Sequence, residues 1–271
     1  MEYVTVGTTK VPKLGLGTAR LRGGDCLEGV GHALAIGYRA IDTAQRYENE
    51  TEVGQAVAAS PVRREEVFLT TKVDHWTAPD VTRSMQESLR KLRTDYVDLL
   101  LIHWPSTDVP LAETLDAMVA LCDAGHVRAI GVSNFPPSLY REAIGLAPII
   151  TNQVEYHPYL SQRTLLDITE EHGLMLTSFS PLGRGVVLDD PVLVAVAAAH
   201  GKGTDQVALR WLVQQPRVST NPKSSDPERR RRNLDVFDFE LSEEEMQRIH
   251  ALDRGERVID PPFAPDWERT R

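Results

Sequence analysis

Four side chains whose types suit acid–base work on a carbonyl group occur at separated positions in the sequence. They are Asp42, Tyr47, Lys72 and His103. A free tyrosine has a pKa of about 10, and we expect a neighbouring ammonium group to lower it toward the range in which a general acid works. A buried lysine needs a carboxylate partner, and an imidazole is able to hydrogen-bond a carbonyl oxygen. Brought together by the fold, the four predict carbonyl reduction.

Each of these residues also has an ordinary structural explanation. A lone aspartate at the end of a strand is most often a turn or cap residue, and a lone histidine in an apolar run is most often a core residue. A surface position accounts equally well for Tyr47 in the segment "IDTAQRYENE". Only the combination favours a site, so the prediction depends on the elements that carry the four residues.

Eight short apolar runs recur along the chain, and helix-like segments separate them. The runs are continuously apolar, as is typical of strands buried on both faces of a parallel sheet. One intervening segment places Val81, Met85, Leu89 and Leu92 on a single helical stripe. The runs begin at Val11, Tyr38, Val67, Val97, Ala129, Ile149, Leu174 and Arg217.

Eight strand–helix units in a chain of this length predict an α/β fold, the (β/α)8 TIM barrel. The alternative is a doubly wound open sheet, which favours a glycine-rich phosphate turn after the first strand. The segment "GLGTARLRGG" lacks the usual spacing of that turn. An N-terminal β-hairpin around Gly7 would cap the barrel floor, and a C-terminal tail starts near Arg254. We predict a single barrel domain over residues 1–271.

Polar residues at the carboxyl ends of the strands would surround one opening of such a barrel. The four residues named above end or follow the second, third and fourth runs. Further polar side chains follow the fifth, sixth and eighth runs, and they are Ser133, Asn134, Asn152, Gln153, Glu155, Lys223, Ser224 and Ser225. We therefore predict that the site lies at this opening.

Composition narrows the range of partners. The chain of 271 residues has a formal net charge of −9, which argues against nucleic acid or an anionic membrane as the main partner. Cys26 and Cys122 lack metal-ligand spacing, and we expect both to stay reduced. We find neither a signal-peptide core nor an apolar run of bilayer length. We expect a cytoplasmic protein that acts on a small molecule.

Several long motifs resemble the aldo-keto reductase superfamily over nearly the whole chain, from Leu14 to Trp267. They are "GYRAIDTAQRYENE", "TTK", "LRTDYVDLLLIHWP", "IGVSNF", "NQVEYHPYL", "SPLGRG" and "PKSSDPERRRRN". The resemblance implies that Asp42, Tyr47, Lys72 and His103 form the catalytic tetrad, with Tyr47 as the general acid. Within the family the chain is most similar to prokaryotic reductases of the 2,5-diketo-D-gluconate and methylglyoxal type, and most relatives of this type are monomers.

The resemblance also implies NADP(H), which in this family lies across the barrel mouth without a glycine-rich motif. Lys223, Ser224 and Arg229 would hold the 2′-phosphate. Arginine makes bidentate contacts to phosphate, and a helix starting near Pro227 would present its positive end. The implied cofactor-binding residues are Thr18, Asp42, Ser133, Asn134, Gln153, Phe179, Ser180, Leu182, Lys223, Ser224, Ser225, Arg229 and Asn233. The expected substrate-binding residues are Tyr47, Trp76, His103 and Trp104, and no metal is expected.

Four positions depart from the family pattern. Ala19 stands where an aromatic residue often lines the pocket, and Phe179 stands where a tyrosine or tryptophan usually stacks on the nicotinamide. Arg232 replaces a glutamate that often meets the adenine and would add positive charge for a 2′-phosphate, and Asn221 replaces an aliphatic residue. Nearby, we expect Arg230 and Arg231 to lie on a solvated helix face.

Two other functional classes stay open at this point. Some members of the family serve as accessory, nucleotide-sensing subunits with little turnover, and turnover of a simple aldehyde would distinguish that role. A metal-dependent hydrolase on the same barrel is the other alternative. His103 and Asp42 alone do not make a plausible metal set, and activity that survives chelation would exclude a metal enzyme.

Overall fold

The computed structural model describes residues 1–267. The strands are β1 (Tyr3–Val6), β2 (Thr9–Pro12), β3 (Leu16–Gly17), β4 (Ala40–Asp42), β5 (Phe68–Val73), β6 (Leu99–Ile102), β7 (Ile130–Ser133), β8 (Ile149–Glu155), β9 (Met175–Phe179) and β10 (Val218–Thr220). The α-helices are α1 (Gly23–Ile36), α2 (Glu50–Ala59), α3 (Ala78–Leu92), α4 (Leu111–Asp123), α5 (Pro137–Leu146), α6 (Arg163–Glu171), α7 (Pro191–His200), α8 (Thr204–Gln214), α9 (Pro227–Leu234) and α10 (Glu243–His250). Short 3-10 helices occur at Gln45–Tyr47, Arg64–Glu66 and Gly183–Gly185.

Strands β3 to β10 form one parallel sheet in sequence order, and each of the eight predicted runs contains one of them. The sheet closes on itself, because the amide of Gly15 donates to the carbonyl of Thr220 at 2.9 Å and that of Gly17 to Pro222 at 3.2 Å. Closure requires glycine at position 17, where a Cβ atom would lie 2.7 Å from the carbonyl oxygen of Asn221. The prediction of a (β/α)8 barrel is confirmed, and the open-sheet alternative is wrong.

The predicted N-terminal hairpin is also confirmed. Strands β1 and β2 pair antiparallel on either side of Gly7, whose φ of 57° falls in the left-handed region that glycine tolerates. The chain enters β3 directly from this hairpin, so the hairpin lies at the amino ends of the barrel strands, where it buries Val4, Val6 and Val11. The ammonium group of Lys13 then donates to the carbonyls of Val213, in the last turn of α8, and of Gln215, which directly follows the helix. A cation at this position favours the helix end electrostatically.

The helices form the outer layer of the barrel. The predicted stripe of α3 (Val81, Met85, Leu89 and Leu92) is buried against the sheet. Helix α9 begins at Pro227 as expected, and Asp226 caps it. Within residues 1–267, none of the helices combines the length and the apolar character that crossing a bilayer demands.

The C-terminal tail crosses the carboxyl end of the barrel. The carboxylate of Glu155, at the end of β8, accepts the backbone N–H groups of Val258 and Ile259 at 2.7 and 2.8 Å. The carbonyl of Tyr159 accepts the amide of Glu256 at 2.9 Å. The tail is thus held over the opening at which the site was predicted.

Candidate active site

The four predicted reactive residues come from neighbouring segments at the carboxyl end of the barrel. Asp42 is the last residue of β4, and Tyr47 ends the 3-10 helix that follows it. Lys72 lies near the end of β5, and His103 directly follows β6. Because parallel strands in register end at one edge, residues as far as 61 positions apart in the sequence meet here.

Asp42 and Lys72 form a buried ion pair at the base of the site. The ammonium nitrogen of Lys72 lies 2.5 Å from Oδ1 of Asp42 and donates to the carbonyl of Thr43 at 2.8 Å. The side chain of Lys72 is 0% exposed and that of Asp42 is 7% exposed. Such burial tolerates a charge only when a partner and further hydrogen bonds compensate it.

Two amide side chains complete the surroundings of Asp42. Its Oδ2 atom accepts Nε2 of Gln153 at 2.7 Å and Nδ2 of Asn221 at 3.3 Å. Asn221, a departure from the family pattern without a firm explanation in the sequence, therefore has a structural one: its amide supports the Asp42 carboxylate. Thr18 approaches from β3 and donates its hydroxyl to the backbone carbonyl of Asp42 at 3.0 Å.

Tyr47 lies beside this pair, with the ammonium nitrogen of Lys72 5.1 Å from the centre of its ring. Burial raises the pKa of Tyr47, and although Lys72 opposes that shift, the pKa stays above its ordinary value. The expected net lowering of this pKa is therefore wrong, because desolvation of the phenolate outweighs the ammonium. Tyr47 consequently keeps its proton at neutral pH.

His103 lies edge-on to Tyr47, with ring centres 5.6 Å apart. Its Nδ1 atom lies 3.1 Å from Oδ2 of Asp74, and Oδ1 of Asp74 lies 3.0 Å from a guanidinium nitrogen of Arg46. Burial lowers the pKa of His103, and Asp74 opposes that effect without reversing it. The imidazole is therefore neutral at neutral pH.

Asp74 and Arg46 were not predicted to belong to the site. One signal in the sequence could have found Asp74: it follows Lys72 by two positions, and alternate residues of a strand point to the same face. Arg46 directly precedes Tyr47 but carries no comparable signal. Its role depends on the fold, which brings the loop after β4 next to the end of β5.

The predicted carboxamide-binding residues lie next to His103. Nδ2 of Asn134 donates to the carbonyl of His103 at 2.9 Å, and its Oδ1 atom is buried without a partner among the residues described. Asn134 has a φ of 64°, a conformation that asparagine tolerates better than most residues. The hydroxyl of Ser133 donates to the carbonyl of Gln153 at 2.8 Å. A buried acceptor without a donor fits a ligand amide, and the nicotinamide carboxamide has one.

The predicted nicotinamide platform is partly exposed at the end of β9. Phe179 ends the strand, and the chain turns at Ser180, whose φ is 48°. The carbonyl of Ser180 accepts the amide of Gly183 at 2.8 Å, which tightens the turn around Leu182. The partly exposed aromatic ring of Phe179 is suited to stacking.

The predicted phosphate-binding residues surround the start of α9. Lys223, Ser225 and Arg229 are exposed, and Arg229 has 64% of its side chain accessible. Ser224 is buried, and its hydroxyl accepts the amide of Asp226 at 3.2 Å. Asn233, also on α9, is buried.

At the start of α9, Asp226 accepts the amide of Arg229 at 2.9 Å, so one of the first-turn N–H groups is already occupied. One expectation for this region is wrong. Arg230 is not on a solvated face: it is 4% exposed, and its guanidinium donates to the carbonyl of Ser224 at 3.0 Å and to Nδ1 of His32 at 3.1 Å. Arg230 thus braces the loop that carries Lys223, and the sequence could not separate it from its neighbours in a run of four arginines.

Arg232 also differs from the expected arrangement. Its guanidinium lies 2.5 Å from Oδ1 of Asp205 on α8. The charge is therefore paired within the protein, which lessens the contribution that it was expected to make toward a 2′-phosphate. Arg231, by contrast, is half-exposed as predicted and pairs with Glu228.

Two tryptophans and the tail form the outer wall. The indole N–H of Trp76 donates to the carbonyl of Trp104 at 2.9 Å, which ties the loops after β5 and β6 together. Phe263 lies edge-on to Trp104, with ring centres 5.3 Å apart. The ring centres of Trp267 and Trp104 are 6.2 Å apart. The guanidinium of Arg46 lies 4.8 Å from the centre of the Phe263 ring. The tail therefore contacts the same residues that surround His103.

A closed (β/α)8 barrel with a buried Asp–Lys pair, a tyrosine and a histidine at its carboxyl end defines a recognisable class of oxidoreductase. The model of the Aldo/keto reductase family matches residues 13–254. The chain belongs to this family. Members of the family reduce carbonyl groups with a nicotinamide cofactor, and the resemblance inferred from the sequence is confirmed.

Individual relatives point to one branch of the family. The chain is 41% identical over 266 residues to the methylglyoxal reductase DkgB of Escherichia coli O157:H7, covering 95% of this chain and 99% of that protein. It is 42% identical over 260 residues to an aldo-keto reductase of Mycolicibacterium smegmatis, covering 93% of each. A crystal structure carrying the name 2,5-diketo-D-gluconic acid reductase B superposes with a TM-score of 0.97 at 45% identity, covering 99% of this chain and 98% of that one.

Proposed function

We propose that this protein reduces small aldehydes and ketones to alcohols with NADPH, and that Tyr47 donates the proton. The observation that carries the proposal is the buried Asp42–Lys72 pair beside Tyr47, with His103 edge-on to the same ring. This arrangement suits the protonation of a developing alkoxide, because it brings a protonated tyrosine, a fixed ammonium group and an imidazole to one opening of the barrel.

Each residue has a defined part in the proposed reaction. Bound NADPH supplies the hydride. The substrate oxygen accepts a hydrogen bond from Tyr47 and takes its proton as negative charge develops there. Lys72 stabilises the tyrosinate that results, and Asp42 holds Lys72 in place. His103 orients the substrate, and the unpartnered Oδ1 of Asn134 would accept from the carboxamide of the cofactor.

The relatives suggest which carbonyl compounds to test first. One relative is named for methylglyoxal and one similar structure for 2,5-diketo-D-gluconic acid. Both compounds are small and carry two carbonyl groups. These groups are adjacent in methylglyoxal and lie at C2 and C5 in 2,5-diketo-D-gluconic acid. We propose substrates of this size, since the tail over the barrel mouth limits the space above the site.

The first prediction concerns the cofactor. We expect the protein to bind NADPH more tightly than NADH, because Lys223 and Arg229 are exposed cations at the predicted 2′-phosphate position. Arg229→Ala should weaken NADPH binding about 10- to 100-fold, the range for loss of a charged hydrogen bond, and leave NADH binding nearly unchanged. Fluorescence titration with both nucleotides measures this directly.

Arg231→Ala is the matched control for that experiment. Arg231 lies two positions further along α9, is half-exposed and pairs with Glu228. We expect it to leave both affinities unchanged. Equal loss of NADPH binding in both variants would assign the effect to the general charge of α9. Equal affinity of the unaltered protein for NADPH and NADH would overturn the NADP preference, and binding of neither would contradict the proposed function.

A further inference from the structure

Asn221 lies where the last strand of the barrel meets the first, directly after β10. Its backbone N–H donates to the carbonyl of Ser178 at 3.0 Å, and Pro222 follows it, which restricts its backbone further. A Cβ atom at position 15 would overlap Oδ1 of Asn221, so Gly15 leaves the space that the amide occupies. The fold thus holds this side chain in one place, with its Nδ2 atom toward Asp42.

The two carboxylate oxygens of Asp42 have different partners. Oδ1 accepts the ammonium group of Lys72 at 2.5 Å. Oδ2 accepts Nε2 of Gln153 at 2.7 Å and Nδ2 of Asn221 at 3.3 Å. A carboxylate whose second oxygen is occupied in this way does not rotate to receive Lys72 with both oxygens, and the two amide donors offset part of its negative charge.

The pairing through one oxygen matters for the third donor of Lys72. An ammonium group has three N–H donors, and Oδ1 of Asp42 and the carbonyl of Thr43 take two of them. Hydrogen bonding to Tyr47 is among the effects that hold the pKa of Lys72 above its ordinary value, and Nζ lies 5.1 Å from the centre of the Tyr47 ring. The third N–H group is therefore left for the hydroxyl of Tyr47.

We propose that Asn221 is a positioning residue for proton transfer, because by occupying Oδ2 of Asp42 it leaves Lys72 to stabilise the tyrosinate of Tyr47. This inference rests on the proposed function and deepens it. Asn221 acts through Asp42 and Lys72, and the proton still passes from the hydroxyl of Tyr47 to the substrate oxygen. The aliphatic residue that is usual in the family at this position would supply no such donor.

Gln153 is a less constant partner for Oδ2 of Asp42. The resemblance to the family gives its side chain a second task, which is to hold the nicotinamide carboxamide together with Ser133 and Asn134. A side chain that serves two partners divides its hydrogen bonds between them. Asn221 is not among the residues expected to hold the cofactor, so it keeps Oδ2 occupied whether or not the cofactor is bound.

The charges around Tyr47 determine how its proton should respond to a change at position 221. Lys72 lowers the pKa of Tyr47, whereas Asp42 and Asp74 raise it. Offsetting the charge of Asp42 acts in the same direction as Lys72, so loss of the Asn221 amide should raise the pKa of Tyr47. The ionisable groups around the ring are Asp42, Arg46, Lys72, Asp74 and His103.

The kinetic test replaces Asn221 by leucine, which has nearly the same shape but no donor. Above the pKa of Tyr47 the general acid is deprotonated and reduction slows, so the alkaline limb of the pH profile of kcat/KM reports that pKa. We expect Asn221→Leu to move the midpoint of this limb upward by about 0.5 in pH. It should lower kcat for methylglyoxal about threefold, within the range of one net hydrogen bond.

Two further variants and one spectroscopic measurement accompany this test. Asn221→Ser, whose side chain is too short to reach Oδ2, should reproduce the change. Ser219→Ala removes a different buried hydrogen bond of β10, from its hydroxyl to that of Thr177 at 3.1 Å, and should leave the pH profile unchanged. Carbon-13 NMR of protein labelled at Cζ of tyrosine, with the signal of Tyr47 assigned through Tyr47→Phe, follows the ionisation of Tyr47 without any turnover.

The outcomes separate this inference from the proposed function. An upward shift of the alkaline limb and of the Tyr47 titration in both Asn221 variants, absent from Ser219→Ala, supports the inference. An unchanged or lower limb in both Asn221 variants, or an equal shift in Ser219→Ala, overturns it while carbonyl reduction stands. Failure to reduce methylglyoxal contradicts the proposed function, and the NMR titration still decides whether Asn221 acts on Tyr47.

Discussion

Tyr47→Phe should abolish carbonyl reduction while leaving NADPH binding nearly intact. The phenyl ring fills the same space beside Lys72 and His103, so the change removes the hydroxyl and little else. Loss of a general acid costs ~10² to 10⁴ in rate. We expect kcat for methylglyoxal or hydroxyacetone to fall by that factor in steady-state assays, with the dissociation constant for NADPH within about twofold.

Tyr96→Phe provides the control for this prediction. Tyr96 lies far from the barrel mouth, with its ring between the guanidinium groups of Arg64 and Arg128. The Tyr96→Phe variant should retain full activity. Retention of activity in Tyr47→Phe would show that another group supplies the proton, and equal losses of turnover and of NADPH binding would mean that Tyr47 acts mainly by shaping the cofactor site.

The second large effect concerns the buried ion pair. Lys72→Met should lower the free energy of unfolding by about 3–5 kcal/mol, because it leaves the Asp42 carboxylate buried without its cation. It should also lower kcat strongly, since the tyrosinate loses the ammonium that stabilises it. Urea unfolding followed by circular dichroism measures the first effect, and steady-state kinetics measures the second.

Two further variants show whether the uncompensated charge is the cause. Asp42→Asn combined with Lys72→Met removes both charges, so it should unfold less readily than Lys72→Met alone. Lys91→Met removes a lysine whose partner Glu87 is half-exposed on α3, and it should cost about 0–1 kcal/mol. A loss below about 1 kcal/mol for Lys72→Met would show that Asp42 does not depend on this partner.

The Asp42–Lys72 pair also determines the direction in which the stability of the fold changes with pH. Burial acts to lower the pKa of Lys72, but Asp42 and Tyr47 outweigh it and hold the pKa above its ordinary value. The stability contributed by this shift is therefore complete below the pKa of an unfolded lysine and is lost as the pH rises through the folded value. The pair supports the fold throughout the neutral range.

The fold was predictable because its signals are local and repeated. Each of the eight strands lies within one continuous apolar run, and the stripe from Val81 to Leu92 has helical spacing. Burial on both faces selects such runs in any parallel sheet. The closure of the sheet was less visible, since it depends on the close approach of Gly17 to Asn221 across 204 positions.

The sequence by itself determined the barrel, the family and the residue types that meet at its mouth, because motif and periodicity are properties of neighbouring positions. Only the tertiary structure decided the pKa shifts and the hydrogen-bond partners of these residues. Burial, not Lys72, sets the direction of the pKa shift of Tyr47, and the fold places Asp74 3.1 Å from Nδ1 of His103. Burial and hydrogen-bond direction depend on groups from several elements at once, so they exist only when the chain has folded.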